Sequence, residues 1–335
     1  MEKLLSTKRD MKFVPEAYIM PPGTRPGNSK VPICENIPVI DLKADPTKLS
    51  HQIIDACKEF GFFQLINHGV PEKMLKDVLE VGKEYFKLPD EDKAIMFSDD
   101  TNQSSRLQTS MDYTKEQLHY WRDALKHPCH PLEKHIQSWP QKPPQYREVM
   151  GPYSIEVWKL SLCLLDLISN GLGLEPGFFS RESEEFEVRM SVNHYPACPD
   201  PSLTLGLPKH ADVDLLTLLL QEMNGLQILK HGQWLAVEPL PNAFVVNIGH
   251  TLEIISNGKL NSVEHRVVTN QKLGRTTISS FIFPSHSYKI EPAKGLIKDD
   301  CPPLYREFIF KDFLATYVTD TCQRKSPLDR YKLKL

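Results

Sequence analysis

Hydrophobic residues in the first half of the chain mostly recur at intervals of three to four, the period of an amphipathic helix. This spacing predicts helices over residues 47–60, from Gly69 onwards, over 145–170 with a kink at Pro152, and over 311–322 near the end. Two short apolar runs, 37–42 and 62–66, predict strands. The second run is apolar on both faces, as expected of a strand in the middle of a sheet.

From residue 187 onwards the period changes to two, which is typical of half-buried strands. Strands are predicted over 188–195, 215–221, 225–229, 234–238, 243–248, 262–269, 275–283 and 287–290. The gaps hold residues that favour hairpin turns: Asn224-Gly225, His231-Gly232, Asn257-Gly258 and Lys272-Leu273-Gly274. Many short strands separated by tight turns predict a closed sandwich or a jelly roll, so the fold class is mainly β with flanking helices.

In two segments the hydrophobic residues follow neither the helical nor the strand period. Residues 1–37 are interrupted by proline and glycine and are predicted to form an arm on the surface. Residues 98–117 are polar and irregular, which suits a lid over a functional site or an ordinary surface loop equally well. Because no flexible linker interrupts the chain, we expect it to form one unit. Its expected parts, in order, are an N-terminal region (1–100), a lid and supporting helix (101–186), a jelly-roll core (187–295), and a C-terminal helix and tail over the active site (296–335).

Composition narrows the class of protein. The chain has 335 residues, 40% of them hydrophobic, which is ample for a buried core. Its net charge of −3 comes from intermixed acidic and basic residues, without the basic stripe of a nucleic-acid-binding protein. No apolar run reaches the roughly 18 residues that span a membrane, and the N-terminus lacks the apolar core of a signal peptide. We therefore expect neither nucleic acid nor a membrane as a partner.

The cysteines indicate the compartment. There are seven, scattered along the chain, without a Cys-x-x-Cys pair. An odd and dispersed set is typical of free thiols in a reducing compartment, not of a disulfide framework or a zinc ribbon. We therefore predict a cytoplasmic protein.

Candidate chemistry comes from polar residues spaced two apart in the apolar C-terminal half. His210 and Asp212 are one such pair, Arg275 and Thr277 are another, and Asn193 and Tyr195 are a third. Residues i and i+2 of a strand point to the same face. If all three faces look into the barrel, the pairs converge on one polar pocket with apolar walls, which is typical of a ligand site.

A metal site follows if His265 joins His210 and Asp212. Two histidines and one carboxylate on one side of a metal, with the other side open, are typical of non-haem Fe(II) oxygenases. Arg275 would then hold the far carboxylate of a chelating 2-oxoacid through two charge-assisted hydrogen bonds. Hydroxyl groups of Thr277 and Tyr195 can donate further bonds. A zinc hydrolase with the same three ligands, or a non-catalytic small-molecule binding protein on the same barrel, is the alternative, and the other histidines are expected to be structural or exposed.

Longer motifs resemble a known family. The chain is similar to plant Fe(II)/2-oxoglutarate-dependent dioxygenases of specialised metabolism, above all to the hyoscyamine 6β-hydroxylase-like group and then to the downy-mildew-resistance and flavone synthase-like group. The motifs that carry the resemblance are Gly61-Phe62-Phe63-Gln64-Leu65-Ile66-Asn67-His68-Gly69, Asn193-His194-Tyr195-Pro196, Phe244-Val245-Val246-Asn247-Ile248-Gly249, His265-Arg266-Val267 and Arg275-Thr276-Thr277.

The resemblance implies a double-stranded β-helix, or jelly roll, braced by helices. It implies that His210, Asp212 and His265 bind Fe(II). It further implies that Arg275 and Thr277 hold 2-oxoglutarate, with Tyr195 and Asn193 assisting. The reaction would consume O2 and hydroxylate a small plant metabolite (alkaloid, terpenoid, phenylpropanoid or flavonoid), with desaturation, epoxidation or ring closure as follow-on reactions. The family also implies a monomer and a supportive effect of ascorbate in vitro.

Three positions depart from the family pattern. Thr277 replaces the usual serine and keeps the hydroxyl group, and Ala211 replaces a threonine that points outwards. His250 replaces an aspartate after Asn247-Ile248-Gly249, which predicts a changed contact near the metal or the substrate mouth.

Substrate contacts are predicted from aromatic and large apolar residues in three segments. Plain core packing explains any one of them as well as substrate binding does. They are Met111, Tyr113 and Tyr120 in the lid, Phe281 and Phe283 on the strand after Arg275, and Phe313 and Tyr317 on the final helix.

Overall fold

Two β-sheets face one another, and helices cover the outer face of the larger sheet. The computed structural model describes residues 2–8, 11–28, 30–322 and 326–334. Its helices are α1 (Pro46–Glu59), α2 (Glu72–Lys87), α3 (Asp90–Ala94), α4 (Leu132–His135), α5 (Tyr146–Leu172), α6 (His250–Ile255) and α7 (Phe310–Cys322).

The larger sheet has the order β1-β2-β10-β7-β12-β5-β4-β3, the smaller sheet has the order β6-β11-β8-β9, and β13 pairs with β14. The strands are β1 (Val39–Asp41), β2 (Phe62–Ile66), β3 (Arg106–Thr109), β4 (Asp123–Pro128), β5 (Phe186–Tyr195), β6 (Leu207–His210), β7 (Leu216–Leu220), β8 (Leu226–Lys230), β9 (Gln233–Ala236), β10 (Phe244–Ile248), β11 (His265–Val267), β12 (Arg275–Pro284), β13 (Lys289–Ile290) and β14 (Phe308–Ile309). This arrangement confirms the prediction of a mainly β fold with flanking helices and a jelly-roll core.

The connections between strands differ from the predicted hairpins. Only His231-Gly232 joins two paired strands, β8 and β9, with both residues at positive φ as a tight hairpin turn requires. Asn224-Gly225 and Lys272-Leu273-Gly274 instead lead from one sheet to the other, and Asn257-Gly258 follows α6. The hairpin prediction was wrong at these three places, because turn residues report a change of direction and not the partner of the next strand.

The long helix α5 runs through Pro152 and ends two residues later than expected. Gly173, not Gly171, adopts the left-handed conformation that closes the helix (φ 74°), and its N–H donates to Asn170 O and Ser169 O. Gly171 has another role. A Cβ atom there would lie 2.4 Å from Ile54 and 2.8 Å from Ser50 O, so a glycine is needed where α5 approaches α1.

The predicted arm is anchored more firmly than a surface segment. Leu4, Leu5 and Tyr18 are buried, and Asp123 on β4 accepts hydrogen bonds from Leu5 N and Ser6 N. The predicted irregular segment 98–117 is also only partly irregular, because β3 lies inside it and pairs with β4. Both strands were missed because they are short and polar residues surround them.

Hydrophobic packing divides along the faces of the larger sheet. Its outer face and α1, α2 and α5 bury one extensive core that includes Phe63, Leu125 and Tyr146. A smaller cluster around Phe62, Ile228 and Val245 is separate from that core. Among the described residues, no helix combines the length and apolarity needed to cross a bilayer.

Candidate metal and co-substrate site

His210, Asp212 and His265 come together inside the smaller sheet. His210 ends β6, His265 begins β11, and the two residues are direct partners in the antiparallel register. Asp212 Oδ1 lies 3.5 Å from His210 Nε2 and 3.7 Å from His265 Nε2. One ligand atom from each side chain lies within 4.8 Å of the other two, so the three groups could hold one metal ion.

Hydrogen bonds orient these three side chains. The His210 Nδ1–H donates to Pro208 O (2.8 Å) and the His265 Nδ1–H to Val263 O (3.2 Å), since a carbonyl oxygen can only accept. Each Nε2 atom therefore keeps its lone pair for a metal. Asp212 Oδ2 accepts from Thr217 Oγ1 (2.7 Å) and Asn247 Nδ2 (2.8 Å), which leaves Oδ1 directed at the histidines.

The charges suit a divalent cation. Burial lowers the pKa of His265 to about 4, with a further contribution from His210, so its imidazole is neutral at neutral pH. Burial raises the pKa of Asp212, but His265, His210 and Thr217 outweigh it and the pKa is lowered, so Asp212 is a carboxylate. Two imidazole nitrogens and one carboxylate fit Fe(II).

The alternation argument placed Asp212 on a strand with His210, and this was wrong. Strand β6 ends at His210, and Asp212 lies in the following loop. The loop is held by backbone bonds: Asp212 O accepts from His250 N (2.8 Å) and Ala211 O accepts from the Tyr317 hydroxyl (2.5 Å). Tertiary contacts, not strand geometry, therefore aim this carboxylate.

Arg275 begins β12 opposite Tyr195, and its side chain is 3% exposed. Its Nε donates to Met223 O (3.1 Å), its Nη2 donates to Gln221 Oε1 (2.6 Å), and its guanidinium lies 5.3 Å from the Tyr195 ring. Within the described part of the chain no carboxylate pairs with it, and burial lowers its pKa. A buried cation without a counter-charge is costly, so this position favours an anionic ligand.

Thr277 and Asn193 are opposite one another on β12 and β5, and both are buried. The Asn193 amide is already used within the protein. Its Oδ1 accepts from Arg122 Nη1 (3.2 Å) and Ser191 Oγ (3.0 Å), and its Nδ2 donates to Ser279 Oγ (3.2 Å). Asn193 is thus better placed to hold the strands than to bind a ligand directly.

The predicted substrate residues fall into two groups. Phe281 and Phe283 are half-buried on β12, and Phe281 lies opposite Thr217, which bonds to Asp212. Phe313 is fully buried, and Tyr317 is nearly so. The Tyr317 hydroxyl donates to Ala211 O, which joins α7 to the metal-binding loop, the segment after β6 that holds Ala211 and Asp212. Phe281 is thus linked to Asp212 through Thr217, and Tyr317 is linked to the loop directly through Ala211.

The residues predicted to lie in a lid or a surface loop are arranged differently. Tyr113 stacks on His119 at 3.7 Å and lies under Lys3 of the arm, so its ring faces the N-terminus. Met111 O accepts from Gln108 Nε2 (2.8 Å), which fastens the lid to β3. Tyr120 N donates to Ser110 Oγ (2.7 Å) within the lid.

His250 begins α6 beside the metal-binding loop. Its ring lies 6.2 Å from Phe313 and 6.5 Å from Tyr317, and its buried Nδ1 has no hydrogen-bond partner among the described residues. Burial lowers its pKa to about 4. The unusual histidine therefore packs beside the metal-binding loop and against two aromatic residues of α7.

Sequence reasoning missed Asp214, Thr217 and Asn247. Thr217 Oγ1 lies 2.7 Å from Asp212 Oδ2 and 2.9 Å from Asp214 Oδ2. Burial and the charge of Asp212 raise the pKa of Asp214 well above its ordinary value. A polar residue inside an otherwise apolar strand, such as Thr217 in β7 or Asn247 in β10, was the available signal.

Comparisons with known proteins agree with this geometry. Residues 186–284 match the model of the 2OG-Fe(II) oxygenase superfamily, and residues 37–146 match that of the non-haem dioxygenase in morphine synthesis N-terminal region. The chain is 42% identical over 336 residues to hyoscyamine 6-dioxygenase of Hyoscyamus niger, covering 97% of each chain. It is 41% identical over 322 residues to flavanone 3-dioxygenase 2 of Oryza sativa subsp. japonica, covering 95% of this chain and 94% of that protein.

Among solved structures, JOX2 in complex with 2OG, Fe, and JA superposes with a TM-score of 0.88 at 32% identity, covering 98% of this chain and 96% of that one. The chain belongs to the 2OG-Fe(II) oxygenase superfamily. It is an oxidoreductase of the dioxygenase type that uses Fe(II), 2-oxoglutarate and O2. The predicted family, enzyme class and cofactors are thereby confirmed, and neither the hydrolase nor the non-catalytic alternative is favoured.

Proposed function

We propose that the protein oxidises an unactivated C–H bond of a small plant specialised metabolite, and that His210, Asp212 and His265 hold the Fe(II). The observation that carries the proposal is the convergence of three oriented donor atoms in a barrel whose wall also holds Arg275, a buried cation without a counter-charge. Both features are accounted for by one chelating co-substrate with a carboxylate at each end.

Fe(II) held by these three residues would supply the oxidising chemistry together with 2-oxoglutarate and O2, with 2-oxoglutarate converted to succinate and carbon dioxide. The protein's own part is positioning. Pro208 O and Val263 O hold the imidazoles, while Thr217 and Asn247 hold one oxygen of Asp212. Such partners commonly contribute ten- to a hundredfold in metal affinity, as an order of magnitude.

Arg275 and Thr277 bind the distal carboxylate of 2-oxoglutarate in this proposal. Met223 O and Gln221 Oε1 fix the guanidinium plane, so that its remaining N–H groups are presented to the carboxylate. Tyr195 lies against the guanidinium and assists. Asn193 assists indirectly, by bonding β5 to Ser279 on β12.

In this proposal the substrate packs against Phe281 and Phe283 of β12 on one side. On its other side it lies towards α7, where Phe313 and Tyr317 support the wall of the substrate site. Met111, Tyr113 and Tyr120 shape the lid. The relatives named above act on a flavanone and on hyoscyamine, which supports an alkaloid, terpenoid, phenylpropanoid or flavonoid as the substrate class. Hydroxylation is the primary reaction, with desaturation, epoxidation or ring closure as follow-on reactions.

We also propose that the enzyme works as a monomer in the cytoplasm and that ascorbate supports it in vitro. Support for the compartment comes from the cysteines, which are free wherever the structure describes them, as a reducing environment would leave them. The four segments 1–100, 101–186, 187–295 and 296–335 act as one unit, because the arm and α7 both contact the barrel or its lid.

Succinate formation from 2-oxoglutarate tests this proposal. The purified protein should release succinate only with added Fe(II), O2 and a plant metabolite extract. His265→Ala should lose at least 99% of that activity and bind Mn(II), a spectroscopic substitute, at least about tenfold more weakly. The matched control is His51→Ala, which removes an exposed histidine from α1 and should change neither quantity. Full activity of His265→Ala would refute the metal assignment.

A further inference from the structure

We propose that Lys126, together with Arg106 and Arg189, binds a carboxylate group of the substrate. These three residues form the basic cluster on the inner face of the larger sheet. The inference rests on the proposed function and narrows it, because it assigns a chemical class to the substrate of the same site. No co-substrate contact is needed from this cluster, since Arg275 lies on a different strand.

The alternation along β4 shows which way Lys126 points. His127 Nε2 lies 2.9 Å from the Tyr146 hydroxyl on α5, and Leu125 is part of the core beneath the helices. Both residues therefore face outwards, towards the helical layer. Lys126 lies between them and faces the opposite way, into the barrel.

The register across the sheet places Lys126 on the face that carries the co-substrate residues. Lys126 is opposite Ser191, and Ser191 is opposite Ser279. Ser191 and Ser279 both bond to Asn193, the partner of Thr277. Paired side chains of an antiparallel sheet share a face, so Lys126 and Thr277 lie on the same face of the larger sheet.

Two arginines accompany Lys126. Arg106 is its direct partner on β3, and Arg189 on β5 is opposite Phe281. Arg106 Nη1 donates to Asp100 O and Gln103 O (both 3.0 Å), so loop backbone holds it. Arg189 pairs with Glu187 at 3.1 Å and lies over the Phe283 ring.

Lys126 itself is unpaired. Its ammonium has no hydrogen bond or ion pair in the described part of the chain, although the side chain is half-buried. Burial, followed by the charges of Arg122, Arg106 and Arg189, lowers its pKa to about 7. A half-buried lysine beside two arginines is costly unless an anion joins it.

The nearest acidic groups are already engaged by the lid. The Glu116 carboxylate accepts from Ser110 Oγ, Met111 N (2.9 Å) and Asp112 N (2.8 Å). The Asp112 carboxylate accepts from Thr114 Oγ1 (2.8 Å) and pairs with Lys115 at 3.1 Å. Neither carboxylate forms an ion pair with Lys126, so the anion that would favour its protonated form can come from a ligand.

The spacing of the strands tells where on the substrate the carboxylate lies. Strand β4 is three strands away from β7, where Thr217 holds Asp212. This separation is about 14 Å along the sheet. Phe281 lies between the two positions, so an apolar body over Phe281 would join the oxidised carbon to a remote carboxylate.

A split plant extract tests the inference. One portion is used untreated, and in the other the carboxylic acids are first converted to methyl esters. The enzyme with Fe(II), 2-oxoglutarate and O2 is added to both, and mass spectrometry follows compounds that gain one oxygen atom or lose two hydrogens. We expect products from the untreated portion only. Equal turnover of the esters would overturn the inference while leaving the proposed function standing.

Substitutions at Lys126 then test whether this residue binds the substrate carboxylate. For the acid substrate found, Lys126→Met should lower kcat/KM at least about tenfold, as loss of a charge-assisted hydrogen bond implies. Lys126→Arg should restore it to within a few-fold. The KM for 2-oxoglutarate should stay unchanged in both variants. Lys209→Met is the matched control, because Lys209 is next to His210 but is exposed and paired with Glu264.

Each remaining outcome has a defined meaning. A raised KM for 2-oxoglutarate in Lys126→Met, with unchanged use of the acid, would assign the cluster to the co-substrate and overturn the inference. Unchanged kinetics in Lys126→Met would overturn it as well. If the wild-type protein releases no succinate with either portion, the proposed function fails, and the inference fails with it.

Discussion

The metal site lies beside the smaller sheet and the basic cluster lies on the larger sheet, and their polar groups are satisfied in opposite ways. At the metal site, the polar atoms that point away from the expected metal position have protein partners. These atoms are His210 Nδ1, His265 Nδ1 and Asp212 Oδ2, and the last of them accepts from Thr217. At the basic cluster, Lys126 has no partner in the described chain. The first region is organised before any ligand arrives, and the second gains its counter-charge only from a ligand.

This difference has a physical reason. A metal site needs its ligand atoms fixed closely, and strands with second-layer hydrogen bonds provide that precision. In our proposal, substrate choice depends on charged side chains of β3, β4 and β5, which can change without moving the metal-binding residues. The oxidant and the substrate would then be controlled by separate parts of the barrel.

The largest expected effect is at Arg275. Arg275→Gln should raise the KM for 2-oxoglutarate about 10- to 150-fold, because charge-assisted hydrogen bonds contribute roughly 1.5–3 kcal/mol. Mn(II) binding should be unchanged. Arg306→Gln, at an exposed arginine over Tyr331, is the control. An unaltered KM would contradict the assignment of Arg275 to the distal carboxylate.

A smaller effect is expected at Thr217. Thr217→Val removes the donor to Asp212 Oδ2 without changing the shape of the side chain, and should weaken Mn(II) binding about tenfold or more. The comparison variant is Thr316→Val on the exposed side of α7, whose hydroxyl bonds only to backbone. If both variants bind the metal equally well, the metal site is not organised by this hydrogen bond.

The pH dependence sharpens the contrast further. The pKa of Lys126 is lowered to about 7, so kcat/KM for an acid substrate should fall up to about tenfold per pH unit once the pH exceeds the pKa of the ligand-free enzyme. The charged groups that act on Lys126 are Arg106, Arg189, Arg122 and Glu116. Lys126→Arg should flatten the profile because a guanidinium stays charged. If kcat/KM falls with pH equally steeply in the wild type and in Lys126→Arg, a group other than Lys126 causes the pH dependence.

The smallest effect concerns His250. His250→Asp would bury a carboxylate close to Asp212, and should lower the free energy of unfolding by about 1–3 kcal/mol. His250→Leu removes an imidazole whose Nδ1 has no partner among the described residues, and should change the free energy of unfolding by less than about 1 kcal/mol. Urea unfolding of the two variants in parallel measures the difference. Equal free energies of unfolding in the two variants would show that a carboxylate is tolerated at position 250.

Much of the fold could be predicted from alternation and motif order. Strands β5, β7, β10 and β12 lie where the period of two places them, because each has a buried face. Strands β3 and β4 could not be predicted in this way, since they are short and polar residues surround them. Lys126 points into the barrel only because His127 and Leu125 pack under the helices.

The sequence alone determined the chemical identity of the site: two histidines, one carboxylate and an arginine, in an order that the family shares. Their convergence was decided by the tertiary structure. His210 and His265 are 55 positions apart and meet through strand pairing, while Asp212 is aimed by contacts from His250 and Thr217. Long-range pairing of this kind leaves no periodic signal, because the partner of a strand is set by the whole sheet and not by its own residues.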